Sequence, residues 1–296
     1  MTPRSRARRH AIAVLALLAL VAAATAAVIT GAAARRIVVV DPPSRSPVVP
    51  SMFPAPTAAP SPGLSKVHVV AIGDSVTAGT NCDCTPFPEQ YATAIADEYD
   101  VKTYVRNDGQ GGETSDDVLD DLEHDGAEQD DISGADIVLV TIGANDFGPS
   151  YDQIVAGTCG GSDQLACVED SLGSVQDNLT AIVKRIRELR GQKPTAILLT
   201  GYWNVFEDGD VAKKSMTTQG LADSDALTLA TNRIVQQVAT AQHATYVDLY
   251  APFKGSDGSD DPTDLLADDG DHPNAAGHKL IAQALLAAGT APLTIG

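Results

Sequence analysis

The chain has 296 residues and a formal net charge of −19, and the charge is unevenly spread. Residues 1–64 carry seven arginines against one acid, Asp41, which leaves 13 basic and 38 acidic residues from position 65 onward. So acidic a body is repelled by nucleic acid and by anionic lipid surfaces, so neither is an expected partner, while its length suits one α/β domain with a substantial core.

Ala11 to Ala34 is almost wholly apolar and comes after Arg4, Arg6, Arg8 and Arg9. A positive flank stays in the cytoplasm, so the chain beyond the apolar run is expected to be exported. Ala32-Ala33-Ala34 fits a small-residue cleavage site, but the run exceeds the roughly 7–15 residues of a signal core and approaches the ~20 that span a bilayer. Residues 1–36 therefore read as an export signal or a single membrane anchor at 11–34, with the uncleaved anchor favoured. Residues 37–64, rich in Pro, Ser and Ala, read as a disordered linker. The folded domain is expected over 65–296.

The first strand is Val67 to Ile72, an alternating apolar run that stops at Gly73 and delivers Asp74-Ser75 to a sheet end. A helix is expected over 88–99, then a strand over 101–106. The turn Asn107 to Ser115 (NDGQGGETS) is rich in glycine, and the next helix buries Val118, Leu119 and Leu122 under a solvated acidic face running from Asp116 to Asp131. Asp136 to Ile142 is continuously apolar, as in a central parallel strand, and ends in Gly143-Ala144-Asn145-Asp146. A cysteine-bearing loop leads into a helix over 168–189. The fourth strand, 195–200, ends on Tyr202, Trp203 and Asn204. A helix over 224–242, a short strand at 245–249, an acidic loop and a last helix over 275–286 complete the chain.

Strand and helix alternate about five times, which predicts a doubly wound parallel sheet whose polar strand ends share one rim, the place where ligands bind in such sheets. No Gly-x-Gly-x-x-Gly comes after a strand, no Walker lysine motif occurs, and the acidic loop lacks EF-hand spacing. No cofactor and no metal are expected.

Cys82, Cys84, Cys159 and Cys167 suit an oxidising compartment. Cys159 and Cys167 bracket a short loop. Cys82 and Cys84 can close on each other or pair with the other two, and four cysteines allow three connectivities. No histidine lies near either pair in sequence, which disfavours a metal reading.

Of the six histidines, His272 stands apart, in Asp269-Gly270-Asp271-His272-Pro273-Asn274. An acid three residues before a histidine can reach its Nδ1 within one turn and leave Nε2 for a serine. Asp271 should diverge. Acyl transfer also needs donors aimed at the developing oxyanion, which the backbone of Ser75, the backbone of Gly112 and the side chain of Asn145 can supply. Tyr202 and Trp203 are candidates for a substrate pocket or for core aromatics capping the sheet.

Ser75 in GDSVTAG, Gly112 in NDGQGGETS, Asn145 in GAND and the Asp269/His272 pair in DGDHPN resemble the four ordered blocks of the SGNH (GDSL-type) hydrolases. The first block reads GDSV rather than GDSL, and Gly112 is chosen over Gly111 or Gly109 by analogy with that block's spacing. The resemblance implies a flavodoxin-like three-layer α/β/α fold and metal-free ester hydrolysis by Ser75, His272 and Asp269, with Ser75, Gly112 and Asn145 as oxyanion donors. The expected partner is a small-molecule, lipid or acylated-glycan ester, met by a monomer outside the cell. An acyltransferase or deacetylase of surface glycans, and a non-catalytic binding module, are the alternatives.

Overall fold

The computed structural model describes residues 37–40 and 63–296. The expected export segment, its membrane span at 11–34 and most of the expected linker lie outside the described residues. Among the described residues, no helix is long and apolar enough to cross a membrane.

In chain order the elements are β1 (Ile37–Val40), β2 (Lys66–Gly73), α1 (Ser75–Ala78), α2 (Phe87–Tyr99), β3 (Lys102–Asn107), α3 (Ser115–His124), α4 (Gly126–Gly134) and β4 (Ile137–Thr141). Then come α5 (Tyr151–Ala156), α6 (Glu169–Leu189), β5 (Ala196–Thr200), α7 (Gly209–Ser215), α8 (Thr218–Ala241), β6 (Thr245–Val247), α9 (Tyr250–Lys254) and α10 (Ala275–Ala288). Short 3₁₀ turns separate several of them.

The sheet order is β1-β3-β2-β4-β5-β6. From β3 to β6 every pair is parallel, which is the flavodoxin-like doubly wound order. Helices α2 and α10 pack together on one face, and α3, α4, α6 and α8 cover the other. All residues of β4 and β5 are buried, because parallel strands covered on both faces leave no polar side.

Two expectations need correction. Residues 37–40, counted with the linker, form a sixth strand instead: Ile37-Val38-Val39-Val40 pairs antiparallel along β3, from Ile37 opposite Arg106 to Val40 opposite Thr103. Four consecutive β-branched residues suit an extended backbone, and β3 would otherwise present an unpaired edge. The acidic stretch after Ser115 is two helices rather than one solvated face. Asp125 ends the first and caps the second by accepting from Ala127 N, and Glu128 is buried behind the break.

Next to Ser65, Leu64 donates to Thr294 O and bridges to Ile295. The chain thereby closes on itself at its C-terminal end.

Candidate active site

The C-terminal end of β2 abuts that of β4. Gly73 has φ +128°, and a Cβ there would sit 2.0 Å from Thr141 O, so no other residue fits without moving β4. Asp74 N–H donates to Thr141 O at 3.0 Å, and the chain turns at once into α1 with Ser75 as its first residue. Asp74 is the N-cap: its Oδ1 accepts from Val76 N at 3.0 Å, and its Oδ2 accepts a short bond from the Tyr202 hydroxyl. Burial pushes the Asp74 carboxyl up to about 7, against the pull of Tyr202 and Val76.

That carboxyl yields a stability prediction. Asp74→Ala loses an N-cap bond worth about 1 kcal/mol and orphans a buried hydroxyl at about 1–3 kcal/mol. The denaturant midpoint should fall by the equivalent of about 2–4 kcal/mol at unchanged m. The folded-state value exceeds the unfolded one, so the group's stabilising contribution is full below the ordinary 3.8 and is lost as pH rises through about 7. The difference between wild type and variant should shrink over that interval. An unchanged midpoint would show that the Asp74–Tyr202 contact does not hold the turn.

The glycine-rich turn is sewn onto this corner. Asp108 N donates to Ala71 O and Gln110 N to Gly73 O, both at 2.8 Å, while the Asn107 amide reaches Thr77 O, also at 2.8 Å. Glu113 N closes back on Gln110 O with Gly112 at φ +90°, the pattern of a type II turn, whose third residue needs positive φ. A Cβ on Gly111 would lie 3.9 Å from Ser75 Cβ, so this turn flanks the serine. Gly112 itself is exposed and does not line the cavity beside Ser75.

Asn145 comes just after β4 and donates through Nδ2 to Glu113 O at 2.7 Å. Its neighbour Asp146 accepts from Ser115 N at 2.9 Å and Ser115 Oγ at 2.6 Å. These contacts lock the ends of β3 and β4 together. Burial raises the Asp146 carboxyl despite the two Ser115 bonds. Asn178, the residue of a glycosylation-like triplet on α6, donates its amide to Ser115 Oγ at 3.0 Å.

On the loop before α10, His272 Nδ1 lies 2.7 Å from Asp269 Oδ2. The other carboxylate oxygen accepts from the backbone N–H groups of Asp271 and His272, each at 3.0 Å. Asp271 Oδ2 is 3.9 Å from the same ring nitrogen, so the acid three residues back is the bonded one. Burial opposes ionisation of Asp269, but the Asn81 amide, the His272 backbone and ring, and Asp271 N hold it down at about 2. Burial drives the Asp271 carboxyl the other way, up to about 6.

Ser75, Asn145 and His272 line one cavity of about 90 Å³, with Asp74, Tyr202, Trp203, Val205 and Phe206. Among the described residues Ser75 Oγ has no hydrogen-bond partner, which leaves its hydroxyl able to turn toward the imidazole. Tyr202 and Trp203 line the cavity and are also core: each is 1 % exposed, and Trp203 stacks on Phe253 at 4.4 Å between centroids. Sequence reasoning missed the Asp74–Tyr202 bond, Asp146, Ser115 and Asn81. Asp74 and Asp146 each adjoin a singled-out residue, whereas Asn81 carries no local signal.

The sulfurs pair Cys82 with Cys84 and Cys159 with Cys167. One premise fails here, since the fold brings His278 to within 4.8 Å of Cys82 and Cys84. His278 Nδ1 accepts the Phe87 N–H at 3.2 Å, so the neutral ring carries its proton on Nε2. With both sulfurs bonded to each other, the trio offers no set of lone pairs suited to an ion.

Residues 71–280 match the model of the GDSL-like lipase/acylhydrolase family. The chain is 24 % identical over 227 residues to the spore germination lipase LipC of Bacillus licheniformis, covering 75 % of this chain and 96 % of that one. Its fold is similar to that of the lipase Lip_vut3 from a goat rumen metagenome (TM-score 0.60, 19 % identity, 75 % of this chain and 97 % of that one). It is also similar to a variant of Axe2, an acetyl-xylooligosaccharide esterase from a Geobacillus species (TM-score 0.51, 22 % identity, 75 % and 93 %). The chain belongs to the GDSL-like lipase/acylhydrolase family and is a carboxylic ester hydrolase.

Proposed function

We propose that the chain is an exported serine esterase that cleaves short acyl esters through an acyl-enzyme on Ser75. The observation that carries this reading is the Asp269–His272 bond of 2.7 Å beside a cavity that Ser75 and His272 both line. His272 Nε2 takes the Ser75 proton as Oγ attacks the ester carbonyl. Asp269 fixes the ring's tautomer and stabilises the imidazolium. The oxyanion is met by Ser75 N–H and by the second N–H of the Asn145 amide, the first being held by Glu113 O. His272 then protonates the leaving alcohol, and water repeats the sequence on the acyl-enzyme.

The preference for a short acyl group rests on size. A cavity of roughly 150 Å³ accepts a benzene ring, and this one offers about 90 Å³ with buried Tyr202 and Trp203 in its wall. An acyl group of roughly two to four carbons fits such a volume. Asp271 in the wall, near Glu207, disfavours anionic substrates. Export is supported by the arginine-flanked apolar segment and by two cysteine pairs.

With p-nitrophenyl esters of increasing chain length, kcat/KM should fall at least about tenfold between acetyl and octanoyl, since the lost packing is worth about 1.4 kcal/mol or more. A preference for octanoyl would refute the short-acyl assignment.

A further inference from the structure

The nucleophile helix leads into a small loop whose chemistry the triad does not use. Asn81, exposed and in the left-handed region at φ +56°, donates its amide to Asp269 Oδ2 at 2.5 Å. That is the same oxygen that His272 Nδ1 engages at 2.7 Å. Thus Asp269 is held from two sides, by His272 three residues away and by Asn81, 188 residues away in sequence.

Asn81 does not hold this position by secondary structure. It precedes Cys82, and the residue between the two cysteines, Asp83, is also left-handed at φ +47°. Such conformations are uncommon for residues with a side chain, although Asn and Asp adopt them most readily. The Cys82–Cys84 bond closes a ring around Asp83 and fixes the turn that carries Asn81.

A buried imidazole lies near that bond. His278 is wholly buried, and its Nε2 has no hydrogen-bond partner in the structure. The ring brings a nitrogen within 4.8 Å of both sulfurs. Because Nδ1 accepts from Phe87 N–H, Nε2 bears the hydrogen, which meets no acceptor in the structure. Burial depresses the ring's protonation to about 4, so near neutral pH it is an uncharged donor. The thiolate is the form that leaves when a disulfide opens and attacks when it closes. Cys84 is half-exposed, whereas Cys82 is buried. An open cavity of about 880 Å³, lined by Asn81, Asp83, Asp269 and Asn274 among others, gives solvent access to the loop.

We propose that Asn81 is a positioning residue for the Asp269–His272 pair and that the Cys82–Cys84 bridge is its redox-sensitive clip. The inference rests on the assignment of Asp269 and His272 as orienter and base. A dithiol reductant supplies two electrons and two protons; the Cys82–Cys84 bond breaks, two thiols form, and the reductant's sulfurs join as its own disulfide. The freed loop releases Asn81 from Asp269, the imidazole loses its fixed orientation, and turnover slows. Oxidation restores the clip.

The test uses the full chain and Asn81→Gly, which removes the amide but tolerates the left-handed backbone. It should lower kcat about tenfold at unchanged KM, within the ~10²-fold that remote misplacement of a reacting group can cost. It should also move the downfield proton resonance of His272 Nδ1. Dithiothreitol should reproduce both changes in the wild type and, to the same extent, in Cys159→Ser/Cys167→Ser, with reversal on reoxidation. Cys82→Ser/Cys84→Ser should show them permanently. Unchanged kcat and an unmoved resonance in Asn81→Gly, or a wild type indifferent to reduction of Cys82–Cys84, would overturn the proposal. Failure of the esterase reading looks different: Ser75→Ala would then hydrolyse as fast as wild type, while the resonance would still report whether Asn81 and the bridge hold the pair.

Discussion

Ser75→Ala should lower ester turnover by about 10⁴-fold or more, the scale seen when a triad nucleophile is removed. The remaining rate would come from binding and the oxyanion donors. The substitution removes one oxygen from a half-buried residue whose hydroxyl has no hydrogen-bond partner among the described residues, so thermal and denaturant midpoints should hardly change. His272→Ala should cost a similar factor. The double variant should be little worse than either single one, because residues that act in one proton transfer are not additive. A double variant slower by the product of the two factors would mean that Ser75 and His272 act independently.

The second large effect is expected at Asn145. Its amide has two N–H groups, of which Glu113 O takes one at 2.7 Å. The other is available to an oxyanion in the cavity that Asn145 shares with Ser75. Asn145→Ala should reduce kcat by about 10²–10³-fold, as loss of one oxyanion donor does, with KM nearly constant because the bond forms only in the transition state. The lost bond to Glu113 O should cost about 1 kcal/mol of stability. A variant that loses stability but keeps kcat would make Asn145 a brace for the glycine-rich turn and no more.

Much of this was legible from residue order alone. Alternating or continuous apolar runs ending in Gly73, Asn107, Gly143 and Tyr202 mark strands whose C-terminal ends meet at one rim, and the sheet has the parallel order that such alternation implies. The Asp269–His272 contact was legible because three residues of loop suffice to form it. Strand β1 was not, since Ile37–Val40 stands beside a proline-rich stretch and its partner β3 lies more than 60 residues away. The Asp74–Tyr202, Asn81–Asp269 and His278–Cys82/Cys84 neighbourhoods were illegible for the same physical reason. Each pairs side chains brought together by the crossovers of the sheet, and no local periodicity encodes them. The break at Asp125 is an intermediate case: an aspartate with glycine after it is a helix-capping signal, hidden here inside a run of acids.

Central to this mechanism is a Ser75 nucleophile activated by His272. The most direct measurement is to react the protein with a fluorophosphonate and locate the adduct by peptide mass spectrometry. One stoichiometric adduct is expected on the peptide bearing Ser75, abolished in Ser75→Ala and greatly slowed in His272→Ala. An unlabelled Ser75, or labelling as fast in His272→Ala as in wild type, would contradict it.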